Sequence, residues 1–277
     1  MESKYSDFLQ KYKKTVTFCV LLLIGTIIFL IGGGKYDRAI TEMFYDATAP
    51  LGERWYLEGT QPWYFFNEYN DWFTYVMAAT IILPFLITLV YKKWGWSKKH
   101  LFFAFFSVAM GAGVLVNNVF KGLYGRPRPR HTSLWPNSLD SPMYDWYMVW
   151  EPAFLENPDL VGEGVSFPSG HVSIVVSLIV YYYLFKNPSF WAKFTSHSKD
   201  GKTYERNLKI FKILKYIGLL GSLVLGALTG VGRIVVGAHH ASDVLWAFGI
   251  VYGFTALCYY VIFNIPKHEA SLLGKDN

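Results

Sequence analysis

Six stretches of this chain are apolar enough, and most are long enough, to belong inside a lipid bilayer, which narrows the possible folds more than any other feature. A helix needs about 20 mainly apolar residues to cross a hydrocarbon core of roughly 30 Å. Water is absent there, so backbone groups must be satisfied within a helix or a closed barrel. The runs lie at about residues 15–33, 73–91, 101–120, 171–185, 216–232 and 244–263. The first contains Val20-Leu21-Leu22-Leu23-Ile24, and the second holds Pro84, tolerated in a membrane helix as a kink. The fifth carries Gly218, Gly221, Gly226 and Gly230, which allow close helix contacts. The expectation is an all-α, polytopic membrane protein: one domain over 1–277 with six transmembrane helices. Only 17% of residues are charged and 19% are aromatic, whereas a soluble domain carries about 25% charged residues. The first run exceeds a usual signal-peptide core and lacks a small-x-small cleavage site after it, so it reads as a retained helix. Cys19 and Cys258 each fall in an apolar run and read as small buried hydrophobes, not as a disulfide or metal pair.

Charge sets the orientation. Lys4, Lys11, Lys13 and Lys14 precede the first run, and Lys92, Lys93, Lys98 and Lys99 separate the second from the third. Between the fourth and fifth lie Lys186, Lys193, Lys199, Lys202, Arg206, Lys209, Lys212 and Lys215, and Lys267 and Lys275 follow the sixth. The positive-inside rule makes this face, with both termini, cytoplasmic. It also accounts for most of the net charge of +6 without invoking nucleic acid. The opposite face has two long loops. Residues 34–72 are acidic and hold Trp55, Trp63 and Trp72; residues 130–167 hold Trp135, Trp146 and Trp150. Tryptophans near span ends read as an interfacial aromatic belt, and the length of the second loop suggests a functional cover.

Three polar clusters meet at span ends on that outer face. The first is Lys121-Gly-Leu-Tyr-Gly-Arg126-Pro-Arg128-Pro129-Arg130, the second Pro168-Ser169-Gly170-His171, and the third runs from Arg233 through His239 and His240 to Asp243. Cations gathered on the disfavoured side, stiffened by two prolines, suggest an anion site, with arginine supplying planar donor forks and lysine a compact charge. Ser169 and Gly170 open a helix whose free N–H groups and dipole favour an anion, and Gly170 lets it approach. His239 and Asp243 are four apart, so they share a face if the sixth helix begins by His239. A carboxylate on one imidazole nitrogen would fix the tautomer and leave the other free to attack. His240 points elsewhere and reads as structural.

Lys121-x6-Arg128-Pro129, Pro168-Ser169-Gly170-His171 and Arg233-x5-His239-x3-Asp243 together resemble the three-part signature of the type-2 phosphatidate phosphatase superfamily. One departure is Gly232, where the family usually has Ser. The resemblance implies that Lys121, Arg128, Arg233, Ser169 and Gly170 hold the phosphoryl oxygens. It also implies that His239 attacks phosphorus with Asp243 orienting it, and that His171 protonates the leaving alkoxide. Arg126 and Arg130 are expected as extra head-group contacts that favour a diphosphorylated lipid.

No metal or other cofactor is expected, and no carboxylate cluster suggests one. The expected partners are a lipid phosphate substrate and membrane lipids, with no obligate protein partner. Candidate substrates are phosphatidylglycerol phosphate, phosphatidic acid, a polyprenyl diphosphate and a lipid A phosphate. The lack of Asn-x-Ser/Thr sequons suggests a bacterial inner membrane. The alternative is a non-catalytic lipid-phosphate binding or transport protein on the same scaffold. Vanadate-dependent haloperoxidases share such an anion site but are soluble.

Overall fold

In a computed structural model of the chain, the residues described are 16–17, 20–29, 31, 34–69, 71–137, 144, 155, 165–196 and 201–274. The fold is helical, and the one β-type pairing among these residues is an isolated bridge between Thr132 and Tyr144. Three helices precede the second expected span: α1 (Val20–Phe29), α2 (Lys35–Glu42) and α3 (Trp63–Glu68). Helix α4 covers Trp72–Val90. Helix α5 runs without a break through Lys98–Val108, Ala109–Phe120 and Lys121–Tyr124, its middle part wound as a π-helix. Then come α6 (Gly170–Leu184), α7 (Pro188–Thr195), α8 (Gly201–Val235), α9 (Ala241–Ile262) and α10 (Ile265–Leu272).

Four segments are long and apolar enough to cross a bilayer: α4, the Lys92–His131 stretch that contains α5, α8 and α9. The other two expected spans correspond to shorter apolar helices, α1 and α6. Helix α6 starts only after Pro168-Ser169 and stops before Asn187-Pro188, which begins α7, so punctuation on both sides limits its length. The ends of the first span lie partly outside the described residues. So do Lys4, Lys11, Lys13, Lys14, Lys199, Lys275, Cys19, Trp146, Trp150 and most of the 130–167 loop. Cys258 is a buried free cysteine, as its apolar setting suggests.

The short helix is the centre of the bundle. Val172, Val175, Val176, Ile179 and Val180 of α6 are all buried, and the helix touches α4, α5, α8 and α9. Helix α8 shows how lipid reverses the usual pattern. Its buried face carries Gly218, Ser222, Gly226, Thr229 and Gly230, while Ile213, Ile217, Leu220 and Val224 point outward. Lipid is as apolar as leucine, so burial of large side chains brings no gain, and close backbone packing through small residues holds helices together instead. A Cβ on Gly218 would stand 2.7 Å from both Tyr181 Cβ and the Tyr182 backbone nitrogen, and one on Gly226 would stand 2.7 Å from Val176 Cγ2. Through these contacts α8 presses onto α6, and the polar ends of both helices are brought to one place.

This packing predicts that Gly218→Ala destabilises the protein by about 1–3 kcal/mol through overpacking. Leu220→Ala, on the outward face, should stay within about 0.5 kcal/mol of wild type. Thermal unfolding in detergent measures both, and equal shifts would show that the faces of α8 are wrongly assigned.

Candidate active site

The three polar clusters meet and are joined by main-chain hydrogen bonds. Ser166 N–H donates to the Arg126 carbonyl (3.0 Å), Ser169 N–H to the Asp243 carbonyl (3.2 Å), and Arg130 N–H to the Gly237 carbonyl (3.0 Å). The third cluster thus shares one backbone bond with each of the other two, and Ser166, two residues before the second cluster, ties that segment to the first. The connection from α8 to α9 is compact. The Gly237 N–H donates to Ile234 O, and the Ala238 and His239 N–H groups both donate to Arg233 O (3.0 and 3.2 Å). These bonds satisfy carbonyls left free at the helix end. Gly237 adopts φ +64°, the left-handed conformation glycine reaches without strain. The turn delivers His239 to the interior one residue before the helix cap, His240.

The nucleophile candidate is therefore placed by the loop, and its tautomer is set by a carbonyl. His239 is buried, and its Nδ1 lies 2.7 Å from the Ser166 backbone oxygen. A carbonyl only accepts, so Nδ1 carries the hydrogen and Nε2 keeps its lone pair. Among the described residues Nε2 has no hydrogen-bond partner. Asp243 does not make the orienting bond expected of it: its Oδ2 is 3.7 Å from Nδ1, beyond hydrogen-bond reach. Helix α9 begins at Ala241, too late for His239 and Asp243 to share its face. Burial lowers the His239 imidazole from the ordinary 6.5 to about 4, against the smaller upward pull of Asp243. The ring is neutral at physiological pH.

The Asp243 carboxylate is engaged elsewhere. Its Oδ1 accepts from Arg126 NH1 at 2.5 Å, and its Oδ2 from Ser166 Oγ at 2.6 Å and the His240 N–H at 2.8 Å. Arg126 is completely buried, so the expectation that it contacts a head group is overturned. Its guanidinium also reaches Ser242 Oγ (2.8 Å) and Asp37 Oδ2 (3.0 Å). Arg130 sits at the rim, half-buried, with NH1 3.2 Å from Glu58 Oε1. His240 faces the Pro127 carbonyl and the Trp135 ring, an internal packing position.

The remaining cations gather near His239 and His171. His171 lies within electrostatic reach of Arg233, His239, Lys121 and Arg128. Lys121 Nζ stands 2.8 Å from where a Cβ on Gly170 would be, and Asn117 Oδ1 is closer still, so glycine alone leaves room at the start of α6. Among the described residues Ser169 Oγ, Arg128 Nε, Arg130 Nε and Arg233 Nε are buried without a hydrogen-bond partner. Buried polar atoms are normally satisfied, and an anion accepting from several of these donors would satisfy them. No three His, Cys, Asp or Glu side chains gather as a metal site among the described residues.

Sequence reasoning missed four residues here. Asn117 had a signal, since it precedes Lys121 by one helical turn. Ser166, Asp37 and Asn67 had none. Asn67, from α3, contacts the guanidinium of Arg233 through its Oδ1. The same helix explains Gly232: a Cβ there would stand 3.1 Å from Phe66 Cβ and 3.5 Å from the Trp63 carbonyl. Helix α3 leaves little space for a larger residue at position 232, and its Asn67 meets Arg233.

The sequence matches the PAP2 superfamily over residues 101–267, more than half of the chain. The chain belongs to the PAP2 superfamily. Members of that superfamily are phosphatases, which makes this protein in general terms a phosphoric ester hydrolase. The matched stretch contains all three clusters, whereas Asp37, Glu58 and Asn67 fall outside it. Neither curated proteins nor solved structures gave a match.

Two outcomes follow from this geometry. The His239 ring resonance in phosphate-free protein, assigned by its loss in His239→Ala, should titrate near pH 4; a midpoint near 6.5 would mean that the ring is open to water. Asn67→Ala should weaken competitive inhibition by orthovanadate roughly 10- to 150-fold, the loss of one hydrogen bond to a charged group. Unchanged inhibition would show that Arg233 is positioned without it.

Proposed function

We propose that this protein removes phosphate from a membrane lipid phosphate or diphosphate, without a metal ion, through a phosphohistidine formed on His239. The observation that carries this reading is the His239 imidazole, protonated on Nδ1 toward Ser166 O and with a buried Nε2 that has no partner among the described residues. In the first step Nε2 attacks phosphorus and the bond to the lipid oxygen breaks. Lys121, Arg128 and Arg233, with Ser169 Oγ and the Gly170 N–H, hold the three equatorial oxygens, where transition-state charge accumulates. His171, which takes up a proton when the anionic phosphate lies beside it, gives that proton to the departing alkoxide. In the second step water attacks the phosphohistidine, with His171 taking the proton, and inorganic phosphate leaves. Nδ1 keeps its hydrogen throughout, bonded to Ser166 O, and Asp243 nearby stabilises the positive charge the ring acquires.

A lipid substrate is supported by the surroundings. A cavity of about 280 Å³ lies between α4, α5 and α6, lined by side chains such as Met77, Ile81, Phe105 and Ile174 and reaching Asn117. Asn117 in turn adjoins Gly170, so an apolar slot ends beside the proposed phosphate pocket, as a substrate with a hydrocarbon tail requires. By the charge asymmetry of the loops the site opens on the extracytoplasmic face and both termini are cytoplasmic, in a bacterial inner membrane. Phosphatidylglycerol phosphate, phosphatidic acid, a polyprenyl diphosphate and a lipid A phosphate all present phosphate at that surface. With Arg126 buried, Arg130 is the one residue of the expected pair left to meet a second phosphate.

Phosphate release from these lipids in detergent and chelator tests the reading. Wild type should be active, His239→Ala inactive, and His171→Ala slower by about 10²–10⁴-fold, as for a lost general acid. Activity retained in His239→Ala would remove the nucleophile assignment, and wild type inactive on every lipid would favour a lipid-phosphate binding role.

A further inference from the structure

Asp37 is a buried acid far from the family-matched stretch, and the reaction steps above do not use it. It lies on α2, which packs against α9, and its backbone carbonyl accepts from Thr41 Oγ1 at 2.8 Å. Its Oδ1 accepts the Ser242 N–H at 2.8 Å. Its Oδ2 accepts Arg126 NH2 at 3.0 Å and the Ser242 hydroxyl. Every one of these contacts offers a donor, as a carboxylate requires. On the other side of the same guanidinium, Arg126 NH1 grips Asp243 Oδ1 at 2.5 Å.

We propose that Asp37 is a positioning residue of the catalytic centre, supplying through Arg126 the net negative charge that stabilises the phosphorylated His239 imidazolium. The inference rests on the phosphohistidine reading above. Asp243 and Arg126 together sum to zero, and a neutral buried pair offers the imidazolium little beyond its dipole. Asp37 completes an acid–base–acid triad with one net negative charge, fully enclosed and hence scarcely screened by salt. The gain comes only when His239 becomes cationic, so it favours the covalent step over substrate binding. Asp37 also holds the Ser242 N–H, an amide left free in the first turn of α9. That bond fixes the residue beside Asp243, and with it the distance from the carboxylate to the ring.

The test compares wild type, His239→Ala, Asp37→Asn and the double variant Asp37→Asn/Arg126→Gln on the same lipid phosphates, with unfolding temperatures measured for each. Asp37→Asn keeps the shape but leaves the group neutral, so kcat should fall roughly 10- to 100-fold with KM changed less than about threefold. The double variant removes one positive and one negative charge and leaves Asp243 alone, again net negative, so its kcat should exceed that of Asp37→Asn. A purely structural Asp37 predicts the reverse, since two network members are then lost. Wild-type kcat in Asp37→Asn, or a double variant no faster than the single, would overturn the proposal. If Asp37→Asn fails to fold, the double variant decides: kcat above about one-tenth of wild type supports the charge role, and a lower value overturns it. Wild type inactive on every lipid would instead remove the phosphatase reading, and this inference with it.

Discussion

Arg126 is enclosed between two carboxylates, and the polar end of the bundle is assembled around it. Burying a guanidinium costs several kcal/mol unless its partners are close and its hydrogen bonds made. Here NH1 is 2.5 Å from Asp243 and NH2 is 3.0 Å from Asp37. The contacts bring together the end of α5, the start of α9 and the short α2, which have no common sequence neighbourhood. Such a triad is weak evidence for stability, since apolar residues could fill the same volume at no greater cost. Its value is geometric: one guanidinium ties the three segments together through its hydrogen bonds to Asp37, Ser242 and Asp243. The main-chain bonds between clusters then hold that arrangement with little freedom left.

The membrane shapes the rest. Helix α6 is shorter than a bilayer crossing because Pro168-Ser169 and Asn187-Pro188 bound it, and α4, α5, α8 and α9 pack around it. The glycine stripe of α8 permits the close approach that places Arg233 beside it. Precision at the polar end therefore derives from packing in the apolar middle, where large side chains face outward and small ones inward. Helix α3 adds a contribution from the surface, filling the space beside Gly232 and meeting Arg233 through Asn67.

What the sequence made legible was the part encoded by short-range pattern. Apolar runs predicted α4, α5, α8 and α9, and the spacing of the three clusters pointed to residues the fold does gather: Lys121, Arg128, Ser169, Gly170, His171, Arg233 and His239. Pattern failed where a role depends on distant partners. Arg126 and Arg130 are indistinguishable in the sequence, both one residue before a Pro or a His in a basic run. Yet one is sealed inside and the other lies at the rim against Glu58. What separates them is Asp37, 89 positions earlier in the chain. The four-residue interval between His239 and Asp243 suggested a shared helix face. The loop after α8 consumes His239 in its turn, and the carbonyl of Ser166 takes the bond assigned to the acid. A backbone acceptor leaves no trace in composition, since every residue carries one.

That substitution of carbonyl for carboxylate bears on the chemistry. A carboxylate hydrogen-bonded to Nδ1 would raise the basicity of the ring and favour its protonation before substrate arrives. A carbonyl fixes the same tautomer without a full charge, and burial then keeps the ring neutral, with its pKa near 4. Asp243, at 3.7 Å, is close enough to attract a cationic ring yet does not share its proton. The fold thus separates two demands that the proposed reaction would place on His239. The backbone orients the neutral ring, and in that proposal the buried acids stabilise the charge that attack would create.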